Sequence, residues 1–539
     1  MRKIVECVPN ISEGRDEKII NACADAVRKV TGVTLLDVDP GKSTNRTVFT
    51  FVGDPDSVVE AAFQFAKIAY ELIDMTKQYG EHPRMGAVDV VPFVPVIGVT
   101  TADCVECSKK FGKRVGEELG VPVYLYEEAS SNSNRKSLKQ IRAGEYEGLK
   151  DKILKKDWKP DFGSQKFVPK SGATVTGSRF FLIAYNVNIL GTKEQAHKIA
   201  LNIREQGRGE VQPGRLKAIK AIGWNVDEYN MAQVSINLDN YKITPPHVVF
   251  EECVKDAKLM KLAVAGSELV GLIPLEAMLL AADYYIKKEN LFILDERQKI
   301  RLVVERLGLN SVSKFIPEKR IIEYMTKENN SEPLASMTAR SFIELVGARI
   351  SAPGGGSVSA VVASLGAALG AMMGWMSYGN KKFEHLDSKM RKFIPPLNDA
   401  MNKLITMIDA DTNAFNDYMI AMKMPKNSDK EKKLRNEKMQ EGLKKAIEIP
   451  LNVMRLSDSC WQWMFEMAKV GNLNSSSDLA VGAKCLETGI YGAFKNVEIN
   501  IPQIEDKKFK NSVIKEANEI LERAKKSFKK VENILGKRK

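Results

Sequence analysis

At residues 327–336 the chain turns polar (KENNSEPLAS), and the apolar pattern differs on its two sides. Before that stretch, short apolar runs alternate with segments of helical period. From Met337 onward one helical segment follows another, with little strand signal. Strand-period and helix-period patterns do not exchange roles, so the two halves need different cores. At 539 residues the chain is also too long for one core. The expected fold is multidomain: two α/β subdomains (mixed sheets packed with helices), then an all-α helical domain. The boundaries fall at 1–178, 179–326, a linker at 327–336, and 337–539.

Within the first half, Lys3–Val8, Val33–Val38, Thr47–Val52, Val88–Val96 and Val121–Tyr126 read as strands. Asp16–Val30, Asp56–Asp74 and Thr101–Glu118 read as helices. A second α/β set begins at Arg179–Ile189. Val187–Arg204 echoes Val8–Arg28 (strand, Asn-Ile, Gly, helix), a hint of two related subdomains facing each other.

Only four histidines occur, and His82 lies in Gly80-Glu81-His82-Pro83-Arg84-Met85-Gly86. It precedes the apolar run Ala87–Val96, whose single charge is Asp89. An imidazole on a loop at the mouth of a buried strand suits proton transfer; a surface histidine in a charged turn is the plainer alternative. Pro92 and Pro95 predict that this strand is short or near a sheet edge. Asp161–Gly177 is rich in Gly, Ser and Thr, and reads either as a loop that brings backbone to a ligand or as a connector. Gln206–Gly223, basic and glycine-punctuated, is a second candidate for ligand contact, with a surface turn before the strand Val234–Leu238 as the plainer reading.

In the helical half, Ser357–Tyr378 carries no charge, with Gly366, Gly370 and Gly374 four apart. Its Ala/Gly/Ser content and soluble-looking flanks favour a tightly packed core helix over a membrane span. The turn Gly354-Gly355-Gly356 before it leaves N–H groups for a carboxylate or other anion, without the GK[ST] ending of a P-loop. Leu397, Met401, Leu404, Ile408, Asp411 and Phe415 form an apolar seam in which Asp411 replaces a hydrophobic residue. A carboxylate there has a raised pKa and suits acid–base work, or else it caps a neighbouring helix. Asp409 falls off the seam and is expected in solvent; Asp478 is expected in a helix cap.

Net charge is +13, and residues 501–539 hold twelve Lys/Arg against six Asp/Glu, so +6 of it sits in the tail. Helical spacing there (Ile514, Ala517, Ile520, Leu521, Ala524, Phe528, Val531) makes those lysines a solvated face. No nucleic-acid-binding module is recognisable. Seven cysteines suggest no disulfide framework, and Cys104 and Cys107 read as ordinary thiols at a helix start. The opening MRKIVECVPN lacks a secretory h-region, which points to the cytoplasm.

Several runs resemble the formimidoyltransferase-cyclodeaminase family. They are EHPRMGAVDVVPFVPV; Val5–Gly14; Leu36–Asp39 with Ser43–Thr47; Gly191–His197; Ala352–Ser357; and Asp409-Ala410-Asp411. They cover nearly the full length in the order of both halves. The resemblance implies a step of histidine degradation. A formimidoyl group moves from N-formimidoyl-L-glutamate to N5 of tetrahydrofolate, and the product is then cyclised to 5,10-methenyltetrahydrofolate with release of ammonia. It implies His82 and Asp411 as acid–base residues; the amidine chemistry of that reaction, which favours a nearby carboxylate over a set of N–H donors, makes Asp39 the candidate carboxylate and Asn10 the candidate for positioning substrate. It assigns folate contact to Gly163, Ser164, Gln165, Lys166, Phe167, Val168, Pro169, Lys170, Ser171 and Gly172. It implies a polyglutamylated tetrahydrofolate co-substrate, no metal, and an octameric ring of dimers for which the Gly366/Gly370/Gly374 face is a packing surface. The competing readings are a scaffold with an oligomerising helical half, a basic nucleic-acid binder, and an enzyme acting on another folate derivative.

Overall fold

The computed structural model describes residues 3–42, 44–80, 83–326 and 332–538. The chain divides into two compact units, Met1–Lys327 and Glu328–Lys539. The first unit opens with β1 (Ile4–Cys7), β2 (Asn10–Ile11), α1 (Glu17–Arg28), β3 (Val33–Gly41), β4 (Arg46–Gly53) and α2 (Pro55–Leu72). Then come β5 (Val88–Ile97), α3 (Thr101–Glu118), β6 (Val123–Glu127), α4 (Leu138–Arg142), α5 (Glu145–Lys152) and β7 (Thr174–Ser178). Helix starts are chemically marked: Asp54 accepts from the Ser57 N–H at 3.1 Å, and Thr100 with Asp103 forms a capping box.

These strands make one seven-stranded mixed sheet. β3 pairs with β4, β4 with both β1 and β2, and those two with β5, all antiparallel; β5–β7 and β7–β6 are parallel. Helices α1 to α3 cover one face through Cys23, Val27, Phe65 and Phe111. β5 is ten residues long and central, which corrects the expectation of a short or edge strand. Its prolines are tolerated for local reasons. Pro92 lies opposite the gap between β1 and β2, where its carbonyl accepts from the Val8 N–H at 3.2 Å. Pro95 lies beyond the last pair with β7, Phe93 opposite Ser178.

The first unit continues with β8 (Ile183–Leu190), α6 (Lys193–Ile203), β9 (Ile219–Val226), β10 (Met231–Leu238), α7 (Pro246–Leu259) and β11 (Ala263–Val270). After them come α8 (Leu275–Lys288), α9 (Glu296–Arg306), α10 (Pro317–Arg320) and α11 (Ile322–Met325). Its four strands form an antiparallel sheet ordered β11-β8-β10-β9. Ile4, Val52 and Val94 of the first sheet join the core of this second set.

The second unit is helical: α12 (Ala339–Val346), α13 (Gly355–Trp375), α14 (Asp387–Met422), α15 (Asp429–Ser459), α16 (Trp461–Val470), α17 (Ser476–Asn500) and α18 (Lys507–Gly536). By length and composition α13 could cross a membrane, yet it is the helix against which α14, α16 and α17 pack. Its glycines make that approach possible. A Cβ on Gly366 would stand 2.7 Å from the Gly482 carbonyl oxygen, and one on Gly374 would collide with Ile394. The glycine face therefore packs inside the unit rather than offering a surface to another chain. α18 buries Val513, Ala517, Ile520, Ala524 and Val531; Val513, not Ile514, begins its stripe.

Candidate active sites

A cleft of 770 Å³ in the first unit is lined from both sheets. The strand alternation of the first sheet aims Glu6, Asn10, Asp37, Asp39, Arg46 and Thr50 into it. Asn10 is buried; its oxygen accepts from the Arg46 guanidinium at 2.5 Å, and its nitrogen donates to the Val8 carbonyl at 3.1 Å. Burial lowers Arg46 to about 10, against the pull of Asp89. Asp39 stands exposed at the rim. Asp37, two residues before it on β3, is pushed up by burial and then by Asp39. Arg142, Arg179 and Lys220 bring positive charge to the same cleft. Arg142 is fixed by buried Asp89, which also accepts from the Met85 N–H at 2.9 Å.

Glu6 was missed by sequence reasoning. Burial raises its carboxyl to about 8, with Arg179 opposing the rise. The signal was present, since Glu6 is a lone charge inside the apolar run Ile4–Cys7 and all four residues are buried.

His82 lies outside the described residues; the chain on either side of it is pinned. Asn45 donates to the Tyr79 carbonyl at 3.0 Å and to Gln78 at 2.5 Å. Arg84 donates to the Gln78 carbonyl at 3.1 Å and pairs with Glu147 at 2.7 Å. Ser12 donates to the Gly86 carbonyl at 2.8 Å. The glycine-rich loop borders this stretch. Met75 N–H donates to the Lys170 carbonyl and Ala87 N–H to the Ser171 carbonyl, each at 2.9 Å, and Gly86 bridges Gly172. Gly172 has φ +68° at that close approach. Within the loop, Gln165 donates to the Ile153 carbonyl at 2.9 Å, Phe167 lies 5.5 Å from the Tyr146 ring, and the Tyr146 hydroxyl donates to Pro169. Gly163, Ser164, Lys166 and Lys170 are exposed, and Val168 is half-buried. The structure thus brings Asn10 and Asp39 together in the cleft. Residues 163–172 do not line it; they flank the segment that carries His82. Of the Gly191–His197 run, Thr192 caps α6 with Gln195, and His197 accepts from the Gly223 N–H at 3.2 Å.

The second site lies where α14 crosses the start of α13. Gly354 offers no capping side chain, and the Asp411 carboxylate lies against that helix start. A Cβ on Gly356 would collide with it, and Ser357 donates to it at 3.3 Å. The Ser357 hydroxyl also reaches the Ile408 carbonyl at 2.8 Å. The N–H groups that the sequence offered to an external anion are therefore faced by the chain's own carboxylate. Burial raises the Asp411 pKa, partly offset by hydrogen bonds from the Ser357 side chain and backbone.

Asp409 is buried rather than solvated. Its two oxygens accept from the Leu334 and Ala335 N–H groups at 2.9 and 3.1 Å. That partner segment lies outside the helical period from which solvation was inferred. Asp478 stands in the first turn of α17, where a negative charge suits the helix dipole. Cys104 and Cys107 are buried thiols that burial raises to about 12 and about 11. Among the described residues, no group of three or more His, Cys, Asp or Glu is placed to hold a metal ion.

Family models match three consecutive stretches. The formiminotransferase domain's N-terminal subdomain matches residues 4–179, the formiminotransferase domain 184–327, and formiminotransferase-cyclodeaminase 338–519. The chain is 62% identical to formimidoyltransferase-cyclodeaminase of Dictyostelium discoideum, over 100% of both chains. It is 44% identical to glutamate formimidoyltransferase of Streptococcus pyogenes serotype M1, over 54% of this chain and 95% of that one. It is 31% identical to methenyltetrahydrofolate cyclohydrolase of Methylorubrum extorquens, over 35% of this chain and 90% of that one.

Proposed function

The chain belongs to the formimidoyltransferase-cyclodeaminase family, and from that premise we infer how its two units divide the work. It is a bifunctional folate enzyme of histidine degradation. It transfers formimidoyl from N-formimidoyl-L-glutamate to tetrahydrofolate, then cyclises the product to 5,10-methenyltetrahydrofolate with release of ammonia. The observation that carries the division of labour is the Asp411 carboxyl, buried against the glycine start of α13 in the helical unit.

In the first step N5 of the folate attacks the amidine carbon and sheds a proton, and the bond from that carbon to the glutamate nitrogen breaks as that nitrogen takes up a proton. We assign that transfer to His82, a role typically worth about 10²–10⁴ in rate. The tetrahedral carbon carries nitrogens rather than an oxyanion, so a carboxylate serves it better than a set of N–H donors. Asp39, at the rim of the cleft, takes that part. Asn10, fixed between Arg46 and the Val8 carbonyl, positions substrate. The loop Gly163–Gly172, which borders the His82 segment, is assigned to folate.

In the second step N10 attacks the same carbon and the nitrogen departs as ammonia after taking up a proton. Asp411 supplies it, because a carboxyl raised by burial still holds a proton where an exposed one has lost it.

The acceptor is assigned a polyglutamyl tail, on the chain's net charge of +13. Exposed apolar side chains on the helical unit, Leu365, Tyr491 and Ile499, support a homo-oligomer, which the family resemblance makes an octamer. Seven free thiols support a cytoplasmic home. Supplying donor and tetrahydrofolate tests the reading. Glutamate, ammonia and methenyl-folate are expected in equal amounts; no consumption of donor sinks it.

A further inference from the structure

Two short helices, α4 and α5, touch every part of the transferase site, and neither is long enough to keep its shape alone. Gly144 turns the chain between them at φ +84°. What joins them is the Lys152 ammonium at the end of α5. It donates to the Ile141 and Ala143 carbonyls, each at 2.7 Å, and to the Gln140 carbonyl at 3.3 Å. Those carbonyls end α4, where a cation is favoured, and they take up all the donors of the ammonium. The side chain is buried, and its Nζ lies 3.7 Å from the centre of the Trp158 ring. Burial lowers Lys152 to about 8, so at pH 7 it is still charged.

Contacts leave this hairpin in three directions. Arg142 lies between two of the clamped carbonyls; its guanidinium lines the cleft and pairs with Asp89, which accepts from the Met85 N–H at 2.9 Å. Arg84 pairs with Glu147 at 2.7 Å and with Glu145 at 3.6 Å. Arg84 and Met85 follow His82 closely in the chain, so these contacts fix the backbone that leaves it. On the other side the Tyr146 hydroxyl donates to the Pro169 carbonyl at 2.6 Å, and its ring lies 5.5 Å from that of Phe167. The Ile153 carbonyl, next after Lys152, accepts from Gln165 at 2.9 Å. Asn10 stands opposite Val90, the neighbour of Asp89, so the hairpin meets the sheet at the Asn10 row.

We propose that Lys152 is the positioning residue of the transferase site: its ammonium holds α4 to α5, and the closed hairpin sets Arg142, the chain after His82 and the loop 163–172 in one register. This rests on reading the first unit as the formimidoyltransferase. Transfer needs donor, base and folate aligned at the same moment, and a different side of the hairpin touches each. Without the ammonium, Arg142, Glu147 and Tyr146 keep their side chains but lose their common frame.

Steady-state kinetics of full-length Lys152→Met tests this, since methionine keeps an apolar stem and removes the donors. Its kcat for transfer is expected to fall about tenfold or more, with the KM for N-formimidoyl-L-glutamate and for tetrahydrofolate both raised. It should cyclise added 5-formimidoyltetrahydrofolate at the wild-type rate. Tyr146→Phe, which cuts only the bond to Pro169, should raise the KM for tetrahydrofolate alone, by about fivefold. A lysine that served folding only would change the amount of active enzyme and neither KM. Unchanged KM values in folded Lys152→Met therefore overturn the proposal. If that variant does not fold, hydrogen exchange of the wild type decides. Saturating folic acid should slow exchange across 138–153 together with 163–172, and slowing in the loop alone overturns the proposal. A wild type that consumes no donor fails the transferase reading; an active wild type beside a Lys152→Met of unaltered kinetics fails this proposal alone.

Discussion

A single hydroxyl tunes the carboxyl on which the second reaction is argued to depend. Ser357 donates to Asp411 at 3.3 Å and favours its charged form, while burial favours the neutral one. Ser357→Ala removes the first influence, so the limb of the cyclisation pH profile set by Asp411 should move to higher pH; an unmoved limb would separate Asp411 from the proton transfer. His247 gives a different pH signature. It is buried, stacked 4.5 Å from the Tyr284 ring, and lowered by burial to about 4 from an ordinary 6.5. Between those values the unfolded chain binds more protons, so stability is full above 6.5 and declines as pH falls toward 4. Denaturant titrations at pH 7 and 4.5 should show that decline, and His247→Phe should flatten it. At this scale the sequence was readable where a period marked the residue: Asp411 interrupts a helical seam. Glu6 is marked only as a lone charge in an apolar strand of four residues, since so short a strand shows no alternation, and Asp409 is paired by a segment that no period on α14 could reveal.

Close helix packing decides the second unit. Gly366→Ala would press a methyl against the Gly482 carbonyl and the Leu486 side chain, at 2.7 and 2.8 Å. Overpacking of that kind costs about 1–3 kcal/mol, which urea unfolding of the full chain should register in the transition of the helical unit. Asp409→Ala leaves two backbone N–H groups without acceptors, one of them buried, at a cost of about 1–3 kcal/mol. Most element types were legible, because apolar period and caps such as Thr100 and Thr192 agree with the fold. β5 was misjudged because proline's missing N–H was weighed without its neighbours. The gap between β1 and β2 that excuses Pro92 is a tertiary feature.

Across the whole molecule, the change of period at 327–336 corresponds to two compact units, Met1–Lys327 and Glu328–Lys539. Fragment 1–327 should therefore consume donor without forming methenyl-folate, and fragment 328–539 should cyclise 5-formimidoyltetrahydrofolate supplied to it. Loss of both activities on separation would tie each site to the other unit. The most direct test of the divided chemistry is one assay on full-length His82→Ala and Asp411→Asn, following donor, formimidoyl-folate and methenyl-folate together. The account predicts that Asp411→Asn consumes donor and accumulates formimidoyl-folate, with cyclisation down about 10²–10⁴. His82→Ala should leave donor nearly untouched yet cyclise added formimidoyl-folate at the wild-type rate. Normal methenyl formation by Asp411→Asn, or failure of His82→Ala to cyclise the supplied intermediate, would contradict it.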